Sequence, residues 1–234
     1  MRFRLNRAQI TLLPVAVIVL SLPLVRFPWT AGTAARVEAD ETAAERKQKW
    51  IPLFDGKSLD GWLITDFGGQ GEVTVEDGRL LIDFGQPMSG ITSKKKDFPK
   101  SDYEISLEAM RVDGGDFFCG LTFPVKESHC SFIVGGWAGS VVGISSIDGQ
   151  DASENETTQV MRFENKKWYK IRVRVRPEKL EAWIDDKQMV DQDIKGRRIS
   201  TRSEVNPSKP LGISTYLTRA AIRDFKYRLL DLKE

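Results

Sequence analysis

After residue 50 the chain alternates. Residues 168 to 176 read Trp-Tyr-Lys-Ile-Arg-Val-Arg-Val-Arg, with Ile171, Val173 and Val175 on one side and Arg172, Arg174 and Arg176 on the other. A period of two is the mark of a strand with one buried face. Glu72 to Glu76 alternates in the same way, Asp77-Gly78 follows, and Arg79 to Phe84 runs back. Asp-Gly between two such runs is a hairpin signal. Further strands are predicted over Tyr103 to Met110, Phe117 to Phe123, His129 to Val134 and Ser140 to Ile147. Leu180 to Ile184, Gln188 to Val190, Leu211 to Tyr216 and Ala221 to Leu230 complete the set. Asp113-Gly114-Gly115-Asp116, Gly135 to Gly139, Pro177-Glu178-Lys179 and Asp185-Asp186-Lys187 separate them as turns. No helical period longer than a turn or two interrupts the series. Many short strands parted by Gly, Asp and Pro predict one all-β sandwich or barrel over residues 50–232.

The first 37 residues follow another pattern. Arg2, Arg4 and Arg7 precede an apolar run from Ile10 to Val25, and small residues follow from Thr30 to Ala35. Basic flank, apolar core and small-residue stretch form a secretory signal, which predicts an exported protein, periplasmic, cell-surface or extracellular. The apolar core is shorter than the roughly 20 residues that span a bilayer. The alternative is an uncleaved signal-anchor helix, and any membrane contact is expected only through this segment. Residues 38–49 are charged and Ala-rich and read as a linker.

Charge and composition narrow the chemistry. Lys plus Arg number 35 against 33 Asp plus Glu, a net charge of +2 over 234 residues. Without a basic excess the chain is not expected to bind nucleic acid. The single histidine excludes a His-cluster metal site and leaves His129 as the only imidazole base. No phosphate-binding glycine loop, dinucleotide fingerprint or zinc spacing is present.

Residues 53–62, Leu-Phe-Asp-Gly-Lys-Ser-Leu-Asp-Gly-Trp, resemble the opening motif of the 3-keto-disaccharide hydrolase domain family. Later segments agree in order: Val75 to Leu80, Phe98 to Met110, Lys167 to Val173, Leu180 to Val190, Pro210 to Ile213 and Ile222 to Phe225. The resemblance covers about residues 50 to 230. It implies a concanavalin-A-like jelly-roll β-sandwich, related in shape to lectins and glucanases. It also implies a carbohydrate partner and hydrolysis of glycosides already oxidised at carbon 3. Two segments depart from the family pattern. The strand His129-Cys130-Ser131-Phe132-Ile133-Val134 has no carboxylate, and Ser214, Thr215 and Tyr216 stand where a Gln/Asp/His cluster is usual. A non-catalytic carbohydrate-binding or cell-surface module is therefore the alternative to a glycosidase.

Glycoside hydrolysis asks for two carboxylates, one as acid and one as base or nucleophile. Asp148 and Asp151, in the acidic run to Glu156, are the catalytic candidates, with His129 or Tyr216 assisting. Asp148, Asp151 and Glu154, with the Asn155 carbonyl, are also candidate Ca²⁺ ligands, since hard cations take oxygen donors. A solvated acidic loop is the plainer reading. Trp137, between Gly136 and Gly139, is the first choice for a ring on which a sugar stacks. Trp183 and Arg174 are further candidates for substrate contact, Arg174 within a basic stripe able to meet an anionic polysaccharide. Core packing for the tryptophans and a solvated face for the arginines are the alternatives. Cys119 and Cys130, on neighbouring predicted strands, are either a cross-strand disulfide or two buried thiols. Asn155-Glu156-Thr157 is a formal glycosylation sequon.

Overall fold

The computed structural model describes residues 49–231. The predicted leader lies outside the described residues, as does the linker up to residue 48. Two antiparallel sheets pack face to face.

The first sheet holds β1 (Ile51–Pro52), β3 (Val73–Glu76), β4 (Arg79–Ile82), β6 (Tyr103–Gly114), β11 (Trp168–Arg176), β12 (Lys179–Ile184), β13 (Lys187–Asp193) and β15 (Thr218–Leu229). The second holds β2 (Trp62–Ile64), β5 (Met88–Ser93), β7 (Cys119–Val125), β8 (Ser128–Gly135), β9 (Val141–Ser145), β10 (Gln159–Val160) and β14 (Gly212–Tyr216). In space the first runs β13-β12-β11-β6-β15-β4-β3, with β1 added against β15. The second runs β10-β9-β8-β7-β14-β5-β2. Neighbours far apart in sequence, such as β6 beside β15 and β14 beside β5, make this a jelly-roll sandwich rather than a meander.

The alternation predicted for β11 holds. Ile171, Val173 and Val175 are fully buried between the sheets, facing the other sheet's Cys119, Leu121, Phe123, Phe132 and Val134 layer. Each such aliphatic side chain contributes about 1.5–3 kcal/mol by leaving water. The β3–β4 hairpin also forms where expected, with Asp77 and Gly78 at φ of 50° and 77°, the left-handed pair that a tight hairpin turn requires. The pattern missed β5. Residues 88–93, Met-Ser-Gly-Ile-Thr-Ser, are buried on both faces although most are small or polar, so no alternation marks them.

The disulfide alternative is corrected. Cys119 stands opposite Val134 and Cys130 opposite Phe123 in the β7–β8 ladder. That offset of four residues puts them about 13 Å apart along the strands, beyond the roughly 7 Å limit for a disulfide. Both thiols are free and buried. Burial pushes the Cys119 thiol up to about 12 and raises Cys130 further, because a thiolate has no counter-charge there.

Candidate functional site

The outward side of the second sheet is the floor of a cleft. Strand parity decides which side chains reach it: the core takes Cys119, Leu121, Phe123, Cys130 and Phe132, so the alternate residues turn outward. One transverse row of the floor is Ser145, Ser131, Thr122, Gly212 and Thr92, each paired to the next across the ladder. The next is Gly143, Ile133, Gly120, Ser214 and Gly90. Beyond it Tyr216 stands opposite Met88. Small side chains make the floor low. At Gly120 a Cβ would lie 2.8 Å from Ser214 Oγ and 3.1 Å from the Phe117 ring.

The walls come from loops. A 3-10 turn, Ser203–Ser208, closes one end, and the Thr92 hydroxyl donates to the Pro207 carbonyl at 2.9 Å. The opposite end is bordered by the turn after β8, where Trp137 and Ala138 adopt φ of 48° and 63°. Such left-handed residues cost about 1–2 kcal/mol each and need an anchor. Asp116 supplies it: one carboxylate oxygen accepts the Ala138 amide at 2.9 Å and the other the Phe117 amide at 2.7 Å. Trp137 is thereby left 39% exposed at the rim. Phe67, Phe117 and Tyr216 are the other rings lining the cleft, Phe117 and Tyr216 with centroids 5.8 Å apart. The cleft encloses about 700 Å³.

The charged groups sit mainly at the 3-10 end. Arg202 donates to Asp151 and, at 2.9 Å, to Glu204. Asp151 also accepts the Ser146 hydroxyl at 2.9 Å and the Ser145 hydroxyl at 3.2 Å. The hydrogen bond from Arg202 holds the Glu204 carboxyl down at about 2, so it is ionised. Asp66 also lines the cleft. It follows Thr65, whose amide donates to Gly90 of the second floor row at 3.0 Å. One Asp66 oxygen accepts the Gly68 amide at 3.0 Å.

Of the residues singled out from sequence, Trp137 and Tyr216 line this cleft, and Asp151 borders it through Ser145 and Arg202. The others fall elsewhere. Asp148 turns away, receiving Arg197 Nε at 2.6 Å and the Arg198 amide at 2.7 Å. Glu154 is exposed to solvent. The expected Ca²⁺ cluster of Asp148, Asp151 and Glu154 is therefore not assembled, and no three acidic, His or Cys side chains converge on a metal position among the described residues. The Asn155 side chain is buried and donates to the Ile144, Gln150 and Asp151 carbonyls, so it staples the loop rather than offering a glycosylation point.

His129 shares the outward parity of Ser131 but lies at the far end of β8, opposite Pro124, outside the cleft lining. Burial lowers its pKa, and Lys209 and Lys100 lower it further, which favours the neutral ring. Trp183 and Arg174 belong to the outer face of the first sheet, away from the cleft. Arg172 stacks on Trp183 at 3.8 Å, while Arg174 donates to Glu104 at 3.0 Å.

Sequence reading missed Asp66, Asp116, Phe117, Arg202 and Glu204. Asp116 carried a signal, as part of an Asp-Gly-Gly-Asp turn, and Phe117 opened a predicted strand that in the structure starts only at Cys119. The rest come from irregular segments, where no period tells which way a side chain points.

Solved structures share this fold. A candidate glycosyl hydrolase from Parabacteroides distasonis ATCC 8503 superposes with a TM-score of 0.50 at 15% identity, over 82% of this chain and 97% of that one. A structure described with endo-acting O-glycanases of the human gut microbiota that initiate mucin breakdown gives 0.54 at 12%, over 77% and 100%. The Crh5 transglycosylase in complex with NAG gives 0.52 at 10%, over 79% and 85%. At these identities the likeness is one of fold. No curated protein matches the chain in sequence. The family model of the 3-keto-alpha-glucoside-1,2-lyase-like domain matches residues 49–228, and with the jelly-roll sandwich and its outward cleft in place, the chain belongs to that family.

Proposed function

We propose that the cleft binds a carbohydrate and that the protein cleaves glycosides carrying a ketone at carbon 3. The observation that carries the reading is the union, in one cleft of about 700 Å³, of an aromatic rim with a polar, charged end. Family membership supports the choice of substrate.

The carboxylates favour a one-base reaction. Hydrolysis of an ordinary glycoside needs one carboxyl kept protonated as the acid. Here Glu204 is held ionised, Asp116 has both oxygens on backbone amides, and Asp151 is bonded to two hydroxyls and a guanidinium. A ketone at carbon 3 changes the demand, because it acidifies the hydrogen on carbon 2. A single base can then remove that proton. The electron pair of the C2–H bond forms a double bond between carbons 1 and 2. The bond from carbon 1 to the leaving oxygen breaks, and that oxygen takes a proton from water. Asp66 is the base we assign, since it lines the cleft and has no ion-pair partner among the described residues.

A second reading keeps the cleft and drops the chemistry: a carbohydrate-binding module. It is favoured by the floor strand β8, whose outward residues His129, Ser131 and Ile133 include no carboxylate, with Ser131 bonded to Thr122 at 2.8 Å. Incubating the full chain with a 3-keto-disaccharide and with the same disaccharide unoxidised separates the two. Turnover of the keto sugar alone, abolished in Asp66→Asn, supports the lyase-type reaction. Binding without turnover, lost in Trp137→Ala, leaves the module. Export through the N-terminal leader is part of the same proposal, and is tested by locating the full-length chain in fractionated cells.

A further inference from the structure

Removing a proton from the carbon beside a ketone moves negative charge onto the ketone oxygen. A hydrogen-bond donor aimed at that oxygen lowers the barrier, and it acts most strongly in a cleft that excludes water. Asp66 does not supply it, since a carboxylate acting as base has no hydrogen to give.

Most polar side chains of the cleft are already engaged. Arg202 is turned to Asp151 and Glu204. The Ser145 hydroxyl donates to Asp151, that of Ser203 to Glu204, and Ser131 shares a hydrogen bond with Thr122. Two side-chain donors on the lining keep no hydrogen-bond partner among the described residues: the Tyr216 hydroxyl and the Trp137 indole N–H.

Strand register puts Tyr216 at the same end of the cleft as Asp66. Tyr216 stands opposite Met88 in the β14–β5 ladder. Across β5, the Thr65 amide donates to the Gly90 carbonyl, so Asp66, the next residue, also reaches toward the Met88 end. β2 and β14 flank β5, two strand spacings or about 10 Å apart. The Ser131 row, beside Arg202, is level with Gly212, which lies about 13 Å back along β14 from Tyr216.

Resting on the one-base reaction above, we propose that the Tyr216 hydroxyl is a catalytic donor, holding the charge on the carbon-3 oxygen while Asp66 removes the proton from carbon 2. One pyranose ring bridges the span between them over Met88. The electron pair of the C2–H bond passes into a double bond between carbons 2 and 3, and the carbon-3 oxygen becomes negative under the Tyr216 hydroxyl. As the ketone re-forms, a double bond forms between carbons 1 and 2 and the C1–O bond breaks. The leaving oxygen takes a proton from water, Tyr216 keeps its own throughout, and Asp66 returns its proton to solvent.

Tyr216 is better placed for this than Trp137. Its ring packs on that of Phe117 at 5.8 Å, and its amide donates to the Phe117 carbonyl at 3.1 Å, so backbone and ring are both held. Trp137 stands at the rim, 39% exposed. A phenol is also more acidic than an indole N–H and gives the stronger hydrogen bond to an oxyanion.

The test uses the full chain with a 3-keto-disaccharide in water, and with methyl 3-keto-glucoside in deuterium oxide. Methoxide leaves poorly, so exchange at carbon 2 above the protein-free rate is read by NMR before elimination. Tyr216→Phe keeps the ring and removes only a hydroxyl that has no partner among the described residues. It is expected to lower kcat on the disaccharide about 100-fold or more, the usual loss for one oxyanion donor, with KM kept within about three-fold. Carbon-2 exchange is expected to slow by a similar factor, which a role in packing or in protonating the leaving group does not produce. Trp137→Phe is expected to keep kcat within about five-fold. An unchanged kcat in Tyr216→Phe, a loss confined to KM, or undiminished carbon-2 exchange overturns the Tyr216 assignment and leaves the one-base reaction standing. No turnover of the disaccharide by the unaltered protein overturns both.

Discussion

Asp116 accepts the amide hydrogen of Ala138 at 2.9 Å and so fixes the left-handed turn that presents Trp137 to the cleft. A residue from the loop before β7 thus sets the posture of a ring borne after β8. Asp116→Ala is expected to weaken carbohydrate binding about as much as Trp137→Ala does. The loss is on the order of ten-fold, the value of one stacking contact of about 1 kcal/mol or somewhat more. Calorimetric titration of both variants checks this. Unchanged affinity in Asp116→Ala would show that the turn holds without its anchor.

The floor must stay low at Gly120. An added Cβ would meet Ser214 Oγ at 2.8 Å and the Phe117 ring at 3.1 Å, both side chains that form the cleft. Gly120→Ala is expected to cost about 1–3 kcal/mol of stability, the usual toll of overpacking. It should also displace Phe117 and weaken ligand binding beyond what the stability change explains. Thermal unfolding and titration of the same sample separate the two effects.

Glu204 titrates near 2, below its ordinary 4.5, chiefly because Arg202 donates to it. A depressed carboxylate contributes stability above its unfolded value of about 4.5 and loses that contribution as pH falls through about 2. Arg202→Gln removes the main cause. The Glu204 midpoint, followed by carboxyl carbon shifts in NMR, is then expected to return toward the ordinary range. A midpoint that stays near 2 would refute the pairing.

The two cysteines give a sharp chemical result. Both are buried as thiols, Cys119 raised to about 12. Alkylation of the native protein at neutral pH is expected to label neither, and alkylation after unfolding without reductant to label both. An unlabelled pair in the unfolded sample would mean a disulfide. A thiol raised in the folded state is a stabilising difference below its unfolded value. Stability is accordingly expected to decline as pH rises from about 9 toward about 12, as the unfolded chain ionises first.

On the outer face of the first sheet, Glu104 is 1% exposed and serves Arg172, Arg174 and Arg228 at 3.0–3.4 Å. The arginines keep more than a quarter of their side-chain surface in water. Glu104→Gln is therefore expected to cost about 2 kcal/mol, well short of the full penalty for a deeply buried pair. Arg172→Gln is expected to cost under about 1 kcal/mol. Neither should alter carbohydrate affinity, since this face lies away from the cleft. Denaturant unfolding and the same titrations check both.

Much of the fold was legible because burial on one side of a strand writes itself as a period of two. β11 shows it in Ile171, Val173 and Val175, and the β3–β4 turn in Asp77-Gly78. β5 escaped because a floor strand of Met88, Ser89, Gly90, Ile91, Thr92 and Ser93 is small and polar where others are aliphatic. The site was legible only in part. Trp137 could be picked out because glycines around a tryptophan mark a turn with space beside it, and Tyr216 because its phenol can take part in acid/base chemistry. Asp148 and Asp151 look equivalent in sequence, three residues apart in one acidic loop. Arg197 and Arg198 claim the first, while Ser145, Ser146 and Arg202 draw the second to the cleft edge.

What the sequence alone determined is the all-β sandwich and its family, for these follow from periodicity and motif order. Only the tertiary structure decided which face is the cleft, that Cys119 and Cys130 cannot meet, and that Trp183 and Arg174 lie on the other sheet. Register and loop path set those outcomes. A ladder slipped by four residues, or a 3-10 turn laid across one sheet rather than the other, leaves the local pattern of hydrophobic and polar residues unchanged.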